Sequence, residues 1–186
     1  MNPVEFNLKF ATRLINHGPT SIITSIHDGK PNIMAAAWVC ALDFNPPKVT
    51  VVIDSKTYTR ELIEAEGTFA INLPCVKQIE MVKKVGSISG RDLAGTDKFA
   101  EYGIETFAAQ EISAPLVKEC VAWLECKIIP EPHNQNTYDL FIAEVVAAHA
   151  DTRVFSDGRW HFEGHDELRT IHHIAGGAFY ATGQAY

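Results

Sequence analysis

The chain has 186 residues, 46% apolar and 21% charged, an ordinary globular composition long enough to bury roughly two-thirds of its unfolded surface in one domain. A net charge of −7 disfavours broad electrostatic attraction to nucleic acid or anionic membrane, so any anion must be held by a local cluster. The opening segment carries Glu5, Lys9 and Arg13 where a leader peptide needs an apolar core, and no apolar run approaches the roughly 20 residues of a membrane span. The expected location is therefore the cytoplasm. The four cysteines (Cys40, Cys75, Cys120 and Cys126) form no C-x-x-C pair and read as small buried hydrophobes in a reducing compartment.

In chain order, residues 20–26 (TSIITSI) are β-branched and run into the turn chemistry of His27-Asp28-Gly29-Lys30-Pro31, which predicts a hairpin. The returning strand is expected over 32–42 and is broken by the DFNPP that follows. A third strand is predicted over 49–53, a short helix over 59–66 stopped by Gly67, and a fourth strand over 68–74 ending at Pro74. Residues 76–85 place Val76, Ile79, Val82 and Val85 on one helical face. A Gly-rich loop, GSISGRD from Gly86 to Asp92, leads to a further segment over 97–103. Two long strands are predicted last. Over 117–129, Val121, Trp123 and Glu125 share one face, with Cys120, Ala122, Leu124, Cys126 and Ile128 on the other; the second spans 137–149 after a polar turn. Many short strands with few helices predict a mainly β barrel or sandwich forming a single domain over 1–186, with 151–186 a peripheral extension.

Three stretches carry chemistry. IDSKTYTREL, residues 53–62, sets Ser55, Thr57, Thr59, Lys56 and Arg60 at a strand-to-helix junction. One hydroxyl suffices to cap a helix, and no Ser or Thr here has Glu or Gln three positions on. The surplus reads either as solvated polarity or as a phosphate site built from hydroxyls, helix N–H groups and cations. Neither G-x-G-x-x-G nor the P-loop pattern is present. The second stretch, Asn32-Ile33-Met34-Ala35-Ala36-Ala37-Trp38, puts poor strand formers in a strand. That fits either tight strand packing or the approach of a flat ligand to the backbone, with Trp38 beside it. The third, Lys83 to Phe99, holds Arg91 and Lys98 in a loop that is either solvated surface or a lid.

Taken in order, N-x-M-x-x-x-W, NPP before a V-x-V strand, SKTYT-R, F-x-I-N-L-P and SGRD…DKF resemble the flavin reductase-like family, over residues 15–150. The resemblance implies an FMN-binding split β-barrel with a few peripheral helices, working as a homodimer with the flavin near the subunit interface. It would place Asn32, Met34, Ala35, Ala36 and Trp38 along the isoalloxazine. Ser55, Lys56, Thr57 and Thr59, with Arg60, would hold the phosphate and ribityl oxygens. Asn72, Leu73 and Pro74 would sit against the ring, with Ser89, Arg91 and Lys98 reaching it from the lid. Two departures stand out: Ala35-Ala36-Ala37 lacks the hydroxyl many members carry, and NTYDLF replaces a His-bearing turn, leaving Tyr138 and His133 as candidates beside the flavin.

The implied activity is an NAD(P)H-dependent flavin reductase with NADH or NADPH as co-substrate, serving a monooxygenase or another electron carrier. Its rivals are a flavoredoxin-type carrier that does not use the nucleotide and a non-catalytic FMN-binding protein. Nothing marks a catalytic side chain, and none is required, since hydride transfer depends on alignment. His161, His165, His172 and His173 are expected at a surface or interface rather than on a metal, for no HExxH is present. In a dimer, the apolar tail over 175–181 would serve as a cover for the partner's flavin pocket.

Overall fold

The structure is a computed structural model that describes residues 8–174 and 176–186. Residues 1–7 of the opening segment, and Ala175 of the apolar tail, lie outside the described residues. After a 3₁₀ helix at Leu8–Leu14 the chain enters β1 (Ser21–His27) and returns as β2 (Lys30–Ala36). The two-residue turn between them has φ of 48° at Asp28 and 69° at Gly29, the positive pair that a twisted hairpin needs. A second hairpin joins β3 (Val39–Phe44) to β4 (Pro47–Val52). Helix α1 (Tyr58–Glu66) begins where the Thr57 hydroxyl accepts from the Arg60 N–H, and it ends at Gly67, φ 77°.

Strand β5 (Thr68–Leu73) precedes α2 (Ile79–Ser87) and α3 (Lys98–Tyr102), the latter capped by Asp97. Short β6 (Thr106–Phe107) and β7 (Leu116–Val117) pair with each other ahead of the long β8 (Ala122–Ile129). Helix α4 (Pro132–Tyr138) leads to β9 (Leu140–Ala150). Two small hairpins follow, β10 (Phe155–Ser156) with β11 (Arg159–Trp160) and β12 (Ile171–Ile174) with β13 (Ala178–Ala181).

The main sheet has the order β2-β1-β5-β8-β9-β4-β3, antiparallel throughout. Its ends curl towards each other around one core. Ile23 of β1 shares a buried cluster with Val49 and Val51 of β4, and Met34 of β2 and Val39 of β3 both pack against it. Phe69 and Phe141 fill the centre at 0% exposure, each worth about 1.5–3 kcal/mol of burial. The two edges do not pair, so the molecule is a mainly β split barrel. Period-2 alternation sends Ile22 the other way, into a second cluster roofed by Val82 and Val85 of α2 and by Ile171 of β12.

Several elements differ from the sequence reading. The strand expected over 32–42 is two strands at opposite edges of the sheet, because the chain crosses the open seam at Ala37-Trp38. The polar turn before 137 is α4, with Pro at its start, so Thr137 and Tyr138 are helical; Asp139, φ 55°, ends the helix before β9. The strand expected over 117–129 breaks at residues 118–121, where Glu119 takes φ 67°. Three cysteines are buried, but Cys40 is exposed on β3, and all four are free. The segment over 151–186 reaches into the interior, with Val154, Phe162 and Leu168 in one buried cluster and Ile171 in another.

Candidate functional site

The edge strand β2 borders two adjoining chambers. The first, about 320 Å³, lies between Asn32, Met34 and Ala35 of β2, residues 56–59 at the start of α1, residues 85–90 leaving α2, and Lys98. That volume falls at the lower end of the roughly 300–1,000 Å³ typical of ligand pockets. Its lining is polar, and the first turn of α1 presents a helix N-terminus with its positive dipole end.

Lys98 is only 3% exposed. Its Nζ donates to the carbonyls of Ile33 (3.0 Å) and Val85 (2.7 Å), which uses two of an ammonium's three protons. Burial pulls its pKa down to about 8, against a smaller upward pull from Asp92. Asn32 Nδ2 donates to Thr59 Oγ1 at 2.8 Å, whereas the buried Asn32 Oδ1 has no hydrogen-bond partner among the described residues. The Gly-rich loop passes directly over it: a Cβ on Gly90 would stand 2.5 Å from Asn32 Oδ1 and 3.0 Å from Tyr58 Cδ1. Only glycine allows that approach. Arg91 lashes the loop down, donating to the Lys56 carbonyl at 2.9 Å, pairing with Glu61 and lying 5.6 Å above the Tyr58 ring.

The second chamber, about 410 Å³, is apolar and shares Ala35, Gly86 and Ser87 with the first. Ala35, Ala36 and Ala37 form one side, Val82 and Lys83 another, and His173, Gly177 and Phe179 of the terminal hairpin a third. Thr20 also lines it. That residue is 3% exposed, and its Oγ1 has no partner among the described residues.

Of the residues singled out from sequence, Asn32, Met34, Ala35, Lys56, Thr57, Thr59, Ser89 and Lys98 meet at the polar chamber, and Ala36 joins Ala35 at the apolar one. Two of the hydroxyls are already engaged: Thr57 caps α1, and Thr59 accepts from Asn32. Ser55 lies in the exposed turn ahead of α1 and lines neither chamber. Arg60 points away from both. It is 5% exposed and held by Asp139, Glu64 and the carbonyls of Ile53 and Gln135, a buried cation satisfied by the scaffold. Asn72 is likewise spent, bracing Ile22, Thr24 and Val117, while Leu73 packs into the core and Pro74 is buried.

Arg91 anchors the loop and borders a neighbouring cleft instead. Trp38 lines a separate apolar cleft of about 500 Å³ with Ile15, Cys40 and Thr50. Tyr138 is 60% exposed and sits edge-on to His133 on α4, lining neither chamber. The tail expected to cover a partner's pocket borders a cavity of its own chain. The sequence carries no signal for Thr20 or Tyr58 as lining residues; Gly86 and Gly90 belong to the Gly-rich loop, and His173 and Phe179 to the segment expected at an interface. Among the described residues no group of three or more His, Cys, Asp or Glu is placed to hold a metal, and no helix is long and apolar enough to cross a membrane.

Comparison with known proteins places this architecture. An FMN-binding domain of a flavin reductase-like enzyme from Shewanella baltica is 50% identical, with a TM-score of 0.86 over 100% of this chain and 96% of that one. Flavoredoxin of Desulfovibrio vulgaris is 25% identical, with a TM-score of 0.82 over 98% and 96%. The reductase component of a 4-nitrophenol/4-nitrocatechol monooxygenase from Rhodococcus opacus is 29% identical over 132 residues, 71% of this chain and 65% of that protein. The family model for the flavin reductase like domain matches residues 14–168, and the chain belongs to that family.

Proposed function

We propose that this chain binds FMN across the two chambers and works as an NAD(P)H-dependent flavin reductase. The observation that carries the reading is their continuity: one strand, β2, runs from a hydroxyl- and cation-lined chamber into an apolar one lined by three alanines. A ligand with an anionic tail and a flat ring matches that division. The residues fit the group, for the first turn of α1 and the third proton of Lys98 suit a phosphate. Asn32 Oδ1 and Thr20 Oγ1 are buried polar atoms without partners among the described residues, a cost the fold carries until something bonds them.

When bound, FMN supplies the redox chemistry, while the protein supplies orientation and electrostatics. Gly90 and Arg91 hold the loop over the polar end, and the small side chains of Ala35 to Ala37 leave the β2 backbone accessible at the apolar end. The ammonium of Lys98 sets a positive charge at the polar end. The likeness to a monooxygenase reductase component supports a monooxygenase as the electron acceptor. For assembly, β3 is an edge strand with Leu42 at 50% and Phe44 at 98% exposure, and Trp38 beside it is 50% exposed. An unpaired edge with such a patch supports a homodimer.

The test is anaerobic mixing of FMN-loaded protein with NADH and with NADPH. Loss of the flavin absorbance with either nucleotide supports the reductase. Bound flavin that dithionite reduces but neither nucleotide does would favour the electron-carrier reading, which the similarity to flavoredoxin supports.

A further inference from the structure

The family match ends at residue 168, yet the apolar chamber is completed by β12 and β13, beyond that limit. Resting on the FMN reading above, we infer that this terminal hairpin is a ring clamp, with Phe179 and His173 closing the apolar chamber over the flavin so that FMN stays as a resident group. Alternation on the two strands divides the hairpin. His173 and Phe179 are directly opposite each other and line the chamber, their rings 5.3 Å apart and edge to face. Their neighbours His172 and Tyr180 form the next pair and line neither chamber.

The hairpin is a fixed wall rather than a flap. The Thr20 N–H donates to the Ile171 carbonyl at 2.8 Å, and His172 Nδ1 donates to the His17 carbonyl at 2.8 Å. The Val76 N–H reaches the Arg169 carbonyl at 3.0 Å, and Ile171 is 0% exposed. This anchoring sets Thr20, a lining residue of the chamber, beside the wall, and its buried hydroxyl has no partner among the described residues. An aromatic pair and an unpaired hydroxyl suit a flat ring that carries carbonyl or N–H groups along one edge. A ring held on three sides by fixed elements leaves slowly, since escape must break all those contacts together.

The test compares FMN with riboflavin, which has the ring but no phosphate, by titrating each into wild type, Phe179→Ala, Tyr180→Ala, Thr20→Val and Lys98→Met. A ring clamp predicts that Phe179→Ala weakens both ligands by the same factor, about tenfold or more, and loses its colour on desalting. Thr20→Val should weaken both about fivefold with no loss of thermal stability, because the hydroxyl it removes has no partner among the described residues. Lys98→Met should weaken FMN alone, and Tyr180→Ala neither ligand. Phe179→Leu, which keeps the wall filled, replaces Phe179→Ala if the latter unfolds early, and it should raise the dissociation rate of both ligands.

The clamp is overturned if Phe179 and Thr20 variants hold both ligands as wild type does while Lys98→Met still weakens FMN; the FMN reading would survive that result. If wild type takes up neither ligand, both fall.

Discussion

Gly90→Ala puts the closest contact in the site to the test. No positive φ is required at this position, so the alanine backbone is unstrained, and the smaller entropy of its unfolded chain favours folding by about 0.4–1 kcal/mol. Against that, the new Cβ would stand 2.5 Å from Asn32 Oδ1, where ordinary contact begins near 3.4 Å. Asn32 is 2% exposed and its other amide atom is tied to Thr59 at 2.8 Å, so it can retreat only by giving up that hydrogen bond. Losing the bond costs about 1 kcal/mol, and overpacking a buried site adds about 1–3 kcal/mol. The net expectation is a destabilisation of about 1–3 kcal/mol, together with at least about a tenfold loss of FMN affinity, because the added methyl group pushes the loop off Asn32 and disturbs the polar chamber. Urea unfolding followed by an FMN fluorescence titration reads both quantities. A variant as stable as wild type that binds FMN equally well would refute the close approach of loop and strand.

Lys98 makes the site pH-dependent. Its pKa of about 8 lies below the ordinary lysine value, so the folded apo protein gains stability as pH rises from about 8 towards 10.5, where the unfolded chain still binds the proton. On the proposed reading the ammonium holds the phosphate, so FMN affinity should fall by about fivefold between pH 8 and pH 9, and Lys98→Met should flatten that dependence in the same titration. Glu125, 0% exposed, is pushed upward by burial, but the N–H groups of Gln110 and Glu111, with His149 beside them, outweigh this and hold it below the ordinary carboxylate value. The stability it contributes is present above the unfolded carboxylate pKa and lost as pH falls through the lower folded value. Glu125→Gln should therefore cost about 1–3 kcal/mol at pH 7 and progressively less in acid, measured by urea unfolding at both. Phe44→Asp with Leu42→Asp should convert a dimer into a monomer in sedimentation velocity, and an unchanged mass would remove β3 as the interface.

Local pattern carried much of the architecture. Val76, Ile79, Val82 and Val85 do face the core together, with Val82 and Val85 fully buried, because an amphipathic period survives whatever the helix packs against. The junction at Thr57 and Thr59 and the alanine run stand out in the sequence because surplus hydroxyls and misplaced small residues break a local rule, and the structure places both on the lining of the chambers. Arg60 and Asn72 misled because their partners lie far away in sequence, at Asp139 and Gln135 for the one and Ile22 and Thr24 for the other. A linear reading shows a polar residue but not the carbonyls that satisfy it. Trp38 was displaced by the crossing from one sheet edge to the other, which the continuous apolar run of 32–42 conceals. Phe179 and His173 reach the chamber only because β12 is anchored beside Thr20, a juxtaposition of segments some 150 positions apart.

The most direct test of the account is stoichiometric: purify the protein, denature it, and identify and quantify what is released. Together, the chambers along β2 predict one FMN per chain, taken up again on titration into the stripped protein and competed by inorganic phosphate at the polar end. A colourless protein that binds neither FMN nor riboflavin at any concentration tested would contradict it.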